Sequence, residues 1–270
     1  MAKISEAARK KYALKINEYK KHINDILEEE KKIVVKLKKG NLEQNKQRLQ
    51  LADMNLNLIS YYIFMNTLSV TLLSVKFESG LNNARKCCYK VIIYLEEIVS
   101  RYIDTPFSDY QEGLESINSF NEIDKFNLIK KLGFSISLVE SGYGENSKWK
   151  WAFVDLKGRF AVVTKNLINF KTVFLKMDPR SEGYREVQEH LDLSKELLKT
   201  SADRFREKYE LSTRRIDDMQ LAINHLSALK RIHMLLGEND KVEIAKKKVD
   251  IWKHKLEMDM KESRRKHKSI

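Results

Sequence analysis

The 270 residues are 33% charged, include only nine glycines and two prolines, and carry a formal net charge of +13. So little glycine argues against phosphate-cradling loops, dinucleotide-binding turns and most β-rich folds, and neither G-x-G-x-x-G nor a G-x-x-x-x-G-K phosphate loop occurs. Residues 1–50 hold 14 Lys/Arg against 7 Asp/Glu, residues 51–150 hold 10 against 12, and residues 151–270 hold 27 against 19, so both ends are basic and the middle is not.

Along the chain, apolar residues recur at alternating spacings of three and four, which places them on one face of a helix. The first stripe is Tyr12, Ile16, Tyr19, Ile23, Ile26, Ile33 and Leu37, interrupted only by Glu30. Glu30 there either opposes a lysine across a seam or marks where the helix leaves the core. Gly40 followed by Asn41 is expected to end this helix and begin the next. The second stripe is Leu51, Met54, Leu58, Tyr61, Met65, Leu68, Leu72 and Val75. Met54 to Val75 is a run of 22 residues with no charge, long enough to span a bilayer. It also contains Asn55, Asn57 and Asn66, so the favoured expectation is a central core helix whose amides hydrogen-bond across a bundle.

Ser79-Gly80 is expected to separate the second helix from a third, striped by Leu81, Ala84, Cys88, Val91, Leu95, Ile98 and Tyr102 and ended by Thr105-Pro106. Ser141-Gly142-Tyr143-Gly144 gives the strongest loop signal. The next stripe is Trp149, Phe153, Leu156, Phe160, Val163, Leu167, Phe170 and Phe174, closed by Asp178-Pro179. A β-hairpin turning at Asp155-Leu156-Lys157-Gly158 is the alternative, but the stripe runs on past it, which favours helix. Ser181 to Leu236 lacks proline and as one helix would be roughly 80 Å long, so a break is expected near Thr200-Ser201 or Ser212-Thr213. Gly237 to Asp240 precedes a last helix striped by Val242, Ala245, Val249, Trp252 and Leu256. Ala228 to Lys255 has the outline of a helix–turn–helix unit, loosely similar to one tetratricopeptide unit, with no 34-residue period upstream.

These stripes predict an all-α fold: an elongated antiparallel helical bundle with coiled-coil-like packing and about six or seven helices. The expected organisation is a three-helix bundle over 1–104, a connector of short helices and loops over 105–146, a second helical bundle region over 147–260 and a basic tail over 261–270.

No constellation with chemistry stands out, and the expectation is a non-enzymatic protein without cofactor, metal or evident small-molecule substrate. The adjacent Cys87 and Cys88 sit on and beside an apolar stripe and are most simply buried hydrophobes. The six histidines lack zinc spacing, H-E-x-x-H is absent, and no pair of Glu-x-x-His repeats suggests a di-iron site. Glu186 and His190 share a helical face, for which a surface ion pair is the simplest account. Trp149 and Trp151 are candidate partner-binding anchors, and Lys261, Arg264, Arg265, Lys266 and Lys268 are candidate polyanion-binding residues. The expected function is a helical scaffold or adaptor that binds a protein partner; the alternative is a basic helical protein on an anionic membrane surface or nucleic acid. A homodimer is expected through any stripe left uncovered, and the N-terminus, without an apolar signal core, suggests a cytoplasmic location.

Overall fold

The computed structural model describes residues 5–40, 43–144 and 147–268, with side chains through 262. The fold is all-α, and among the described residues there is no strand. The helices are α1 (Glu6–Lys38), α2 (Gln44–Leu73), α3 (Glu78–Glu96), α4 (Phe107–Glu115), α5 (Glu122–Tyr143), α6 (Lys150–Asn166), α7 (Phe170–Leu175), α8 (Tyr184–Lys208), α9 (Ile216–Leu235) and α10 (Asn239–Lys268). The ten α-helices among the described residues exceed the six or seven expected, because two short helices, α4 and α7, and the full-length α5 lie where the stripes were weak or appeared continuous.

Helices α1, α2 and α3 run antiparallel, and α5 lies along α2 and α3. Their inward faces make one core, with Ile16, Ile23, Leu58, Ile59, Cys88, Val91, Leu95, Ile129, Leu132 and Ile136 among its buried members. Thus 105–146, expected as connector, contributes a 22-residue helix to this core. A second core gathers α8, α9 and α10 around Leu198, Phe205, Ile223, Leu226, Val249 and Trp252. α6 belongs to both: Phe153, Leu156, Phe160, Val163 and Leu167 face the first, and Val154, Ala161 and Val162 face the second. Eleven of its 17 residues are buried. The five first-core residues are the stripe read from the sequence, and helix rather than hairpin holds here.

α2 is the one described helix long and apolar enough to cross a membrane, and 33% of that window is buried inside the fold. Asn55 donates from Nδ2 to Glu30 at 3.0 Å, linking α2 to α1 as the bundle expectation required, and Glu30 also meets Lys90 of α3 at 2.8 Å. Glu30 is therefore the seam residue that opposes a lysine. Asn66 instead accepts from the Phe77 amide and closes the α2–α3 turn, while Asn57 is exposed.

Several breaks fall elsewhere than expected. α2 ends at Ser74 in the left-handed conformation (φ 54°), and Ser79-Gly80 lies inside the first turn of α3. α3 ends at Glu96, well before Pro106, and Ile98 and Tyr102 lie in the following loop. α5 runs through Gly142 to Tyr143, because Gly142 sits against Leu81, where a Cβ would come within 2.5 Å of its Cδ2. The stripe across 149–174 is cut at Leu167–Asn169, and Asn169 caps α7 through Oδ1. The break in 181–236 is at the second of the two expected places: a π-helical turn, Tyr209–Thr213, closes with the Arg214 amide on Tyr209 O, and Arg214 is left-handed (φ 52°). Gly40 is also left-handed (φ 70°) and follows the end of α1, whereas Asn41 lies outside the described residues.

Gly113 of α4 rests on the Ile98 carbonyl, where an added Cβ would lie 1.9 Å from the oxygen. Alanine there gains about 1 kcal/mol in helix propensity but must push α4 off that backbone, an overpacking cost of about 1–3 kcal/mol or more. Because the colliding atom is backbone, the cost falls at the upper end of that range, and Gly113→Ala is expected to lower the unfolding free energy by a net of about 2 kcal/mol, read as a fall in urea midpoint at unchanged slope; an unchanged or raised midpoint would contradict the contact.

Candidate functional site

α10 covers α9 with Ala245, Val249, Trp252 and Leu256, all buried. A second set of apolar residues, Ile244, Ile251 and Met258, recurs every seven residues on the flank that α9 leaves uncovered, with exposures of 67%, 66% and 52%. Seven residues are close to two helical turns, so these three form a ridge about 21 Å long. Three residues beyond each stands Lys247, His254 or Lys261, a parallel basic column, and one residue before each stands Glu243, Asp250 or Glu257, an acidic column farther from the ridge, all exposed. On the other side, Lys248 pairs with Asp203 of α8 at 2.6 Å and Lys255 with Asp259 at 3.6 Å. Periodicity alone did not mark this ridge in the sequence, because it borders the buried stripe and looks like a widening of it.

Of the residues expected to bind polyanions, Lys261 is exposed on α10. α10 continues through Lys268, so Arg264, Arg265, Lys266 and Lys268 stand on the same helix, and their side chains lie outside the described residues. Trp149 and Trp151, expected as partner anchors, are both half-buried. Trp149 lies under the Arg85 guanidinium at 4.2 Å and against Tyr143 at 6.0 Å, packed on the first core. Trp151 packs on the second core, with the Lys150 ammonium 4.6 Å from its ring. The two tryptophans therefore pack on different cores.

The buried polar groups concentrate where α6 meets α8 and α9. Lys208 bridges Asp155 at 2.7 Å and Asp218 at 3.0 Å, and Thr213 donates to Asp218 at 2.6 Å. His190, buried on α8, reaches the Thr164 carbonyl through Nε2 at 3.0 Å and stacks on Phe126. It faces inward, so no surface pair with Glu186 forms. Burial pushes its pKa down to about 4. His225 sets Nδ1 against Leu221 O at 2.8 Å and Nε2 against Gly158 O at 3.2 Å; burial lowers its pKa while the two carbonyls oppose that shift. Lys165 is buried with its ammonium on Ile103 O at 2.8 Å, and desolvation lowers its pKa to about 8. These groups are held by internal partners, which marks them as structural.

Cys87 and Cys88 are buried, unpaired thiols; burial raises both, Cys87 to about 12, which disfavours the thiolate form. Among the described residues no group of three or more His, Cys, Asp or Glu is placed to hold a metal ion.

Two measurements check this network. His190 binds its proton below its unfolded pKa, so the unfolded state takes up more protons between about pH 6.5 and pH 4. Stability is therefore full above pH 6.5 and is lost as the pH falls through that window, by about 3 kcal/mol in all. His190→Gln keeps a donor for Thr164 O without the proton, and its stability difference from wild type should shift in its favour by that amount from pH 7 to pH 4. Lys208→Met strands the buried Asp218 carboxylate and should cost about 3 kcal/mol in urea unfolding. Adding Asp218→Asn should restore most of it; a double variant as weak as the single one would show that the lysine acts through packing alone.

The chain belongs to the TP0443 family, which matches residues 8–260. No curated protein and no solved structure matches it.

Proposed function

We propose that this member of the TP0443 family is a non-enzymatic helical scaffold that docks an acidic amphipathic helix of a partner protein along α10. The observation that carries this is the exposed ridge of Ile244, Ile251 and Met258 beside the column of Lys247, His254 and Lys261. An apolar column repeating every seven residues matches the seam of a second helix, and its basic border selects acidic flanks on that helix. The buried thiols and internally paired ions favour a holding role over catalysis.

An anionic membrane surface or nucleic acid is the second reading, favoured by the same basic column and by the arginines and lysines that extend α10 to Lys268. Salt separates the two. Polyanion binding falls steeply with added salt, whereas a contact dominated by apolar burial does not.

The test titrates the full chain with a synthetic acidic amphipathic helix, leucine at the seam and glutamate beside it, and separately with phosphatidylglycerol vesicles. Docking Ile251 buries a side chain worth about 1.5–3 kcal/mol. Ile251→Glu should therefore weaken peptide binding by at least about tenfold, and 0.5 M salt, on the order of a 4 Å screening length, should change wild-type binding less than that. Vesicle binding abolished by salt, with no peptide binding, would replace the scaffold with the membrane reading.

A further inference from the structure

A separate cleft of about 360 Å³ opens where the loop after α3 faces α6 and α9. Its walls are mostly apolar: Tyr102 and Ile103 from the loop, Val162 from α6, Phe205 from α8 and Leu221 from α9. Its floor is Gly158, the point on α6 where a Cβ would collide with Phe205 at 2.4 Å. The rim is rigid. Asn166 donates to the carbonyls of Ser100 and Tyr102 at 3.0 and 3.2 Å, Lys165 donates to that of Ile103, and Ser100 is held at φ 152°, a conformation rare outside glycine. A non-glycine residue fixed in such a conformation beside a preformed concave site is the pattern of a ligand clamp.

The charges at the mouth decide the ligand. Arg159 is spent on Glu96 in a two-pronged pair, Asp155 on Lys208, and Asp104 on Arg231. Arg101 differs: its guanidinium lies over the Tyr102 ring at 4.8 Å and donates to that hydroxyl at 2.6 Å, and it has no carboxylate partner among the described residues. The cleft thus presents an apolar interior, two large side chains that stay half open to solvent (Tyr102 at 59% and Leu221 at 38%) and, among the described residues, one cation without a direct carboxylate partner. A volume near the low end of the range for small-molecule sites, about 300–1,000 Å³, suits one short chain or ring, and a single cation suits a monoanion.

We infer that this cleft binds a small amphiphilic carboxylate, with its apolar body between Tyr102, Val162, Phe205 and Leu221 and its carboxylate on Arg101. The site is distinct from the α10 ridge and independent of the scaffold proposal, so either can fail without the other.

Isothermal titration of the full chain with octanoate, octylamine and octanol, each below its aggregation threshold, tests it. Octanoate should bind at one site per chain, with octylamine and octanol at least tenfold weaker. Arg101→Gln, a change at an exposed side chain, should reduce octanoate affinity about fivefold to tenfold and leave octanol unchanged. Leu221→Trp, which fills the mouth from an exposed position on α9, should abolish octanoate binding while circular dichroism and the urea midpoint stay as in wild type. Equal binding of the three probes, more than one site per chain, no octanoate binding at millimolar concentration, or an unaltered affinity in either variant would each overturn the assignment.

Discussion

One helix with two buried faces sets the terms for the rest of this molecule. α6 is the common wall of both cores, and a helix enclosed on two sides has little surface on which to leave polar groups wet. Its last three residues are Thr164, Lys165 and Asn166, all buried. Each finds a backbone acceptor: Thr164 on Phe160 O one turn back, Lys165 on Ile103 O, and Asn166 on Ser100 O and Tyr102 O. Satisfying α6 thus ties down the loop that leaves α3. The thickness of the wall matters as well. At Gly158 the backbone of α6 comes close enough for the Phe205 ring and His225 Nε2 to lie directly on it. The second core is therefore locked to the first through hydrogen bonds and a close ring contact as well as through apolar burial.

The outermost helices are built differently. α1 packs chiefly on α2, and α10 chiefly on α9, so each buries a single narrow stripe. Most ion pairs along α1 join residues three or four apart in solvent, where water and salt screen them. Glu30 is the exception. It is buried between Asn55 and Lys90, so it cross-links three helices and fixes their register, because a sliding α1 would carry an unpaired carboxylate into the core.

The architecture was legible in the sequence wherever a helix has one buried stripe or a stripe that faces one core. The stripes of α3, α6 and α10 reappear among the buried residues almost position for position. The boundaries were less legible, and the reason is common to several of them. Glycine serves both to end helices and to let another element come close. At Gly40 and Gly237 it takes a left-handed conformation at a helix end, whereas at Gly80, Gly142 and Gly158 it lies inside a helix beneath Phe77, Leu81 and Phe205. Nothing local distinguishes these uses, since the deciding side chain is, for Gly142 and Gly158, dozens of residues away. The cleft was invisible for the same cause: its walls come from the loop near residue 102, from α6, from α8 and from α9, and no spacing rule joins them.

The distribution of charge follows from this division between a centre with internally paired ions and lightly covered outer helices. Lys208 is matched by Asp155 and Asp218 where α6, α8 and α9 meet, and Arg159 of α6 by Glu96 of α3, so these charges cancel locally and project little field. The excess of cations is left to the terminal regions, which the sequence already showed to be the basic ones. A charge on an outer helix acts over about 8 Å at physiological salt, comparable to the separation of two packed helices, about 8–10 Å. Such a field is short, but it reaches the flanks of any helix laid on the α10 ridge. In the proposed scaffold the apolar column would supply affinity and the lysines beside it would penalise partners with basic flanks, so selection between partners would rest with the charges and adhesion with the apolar ridge.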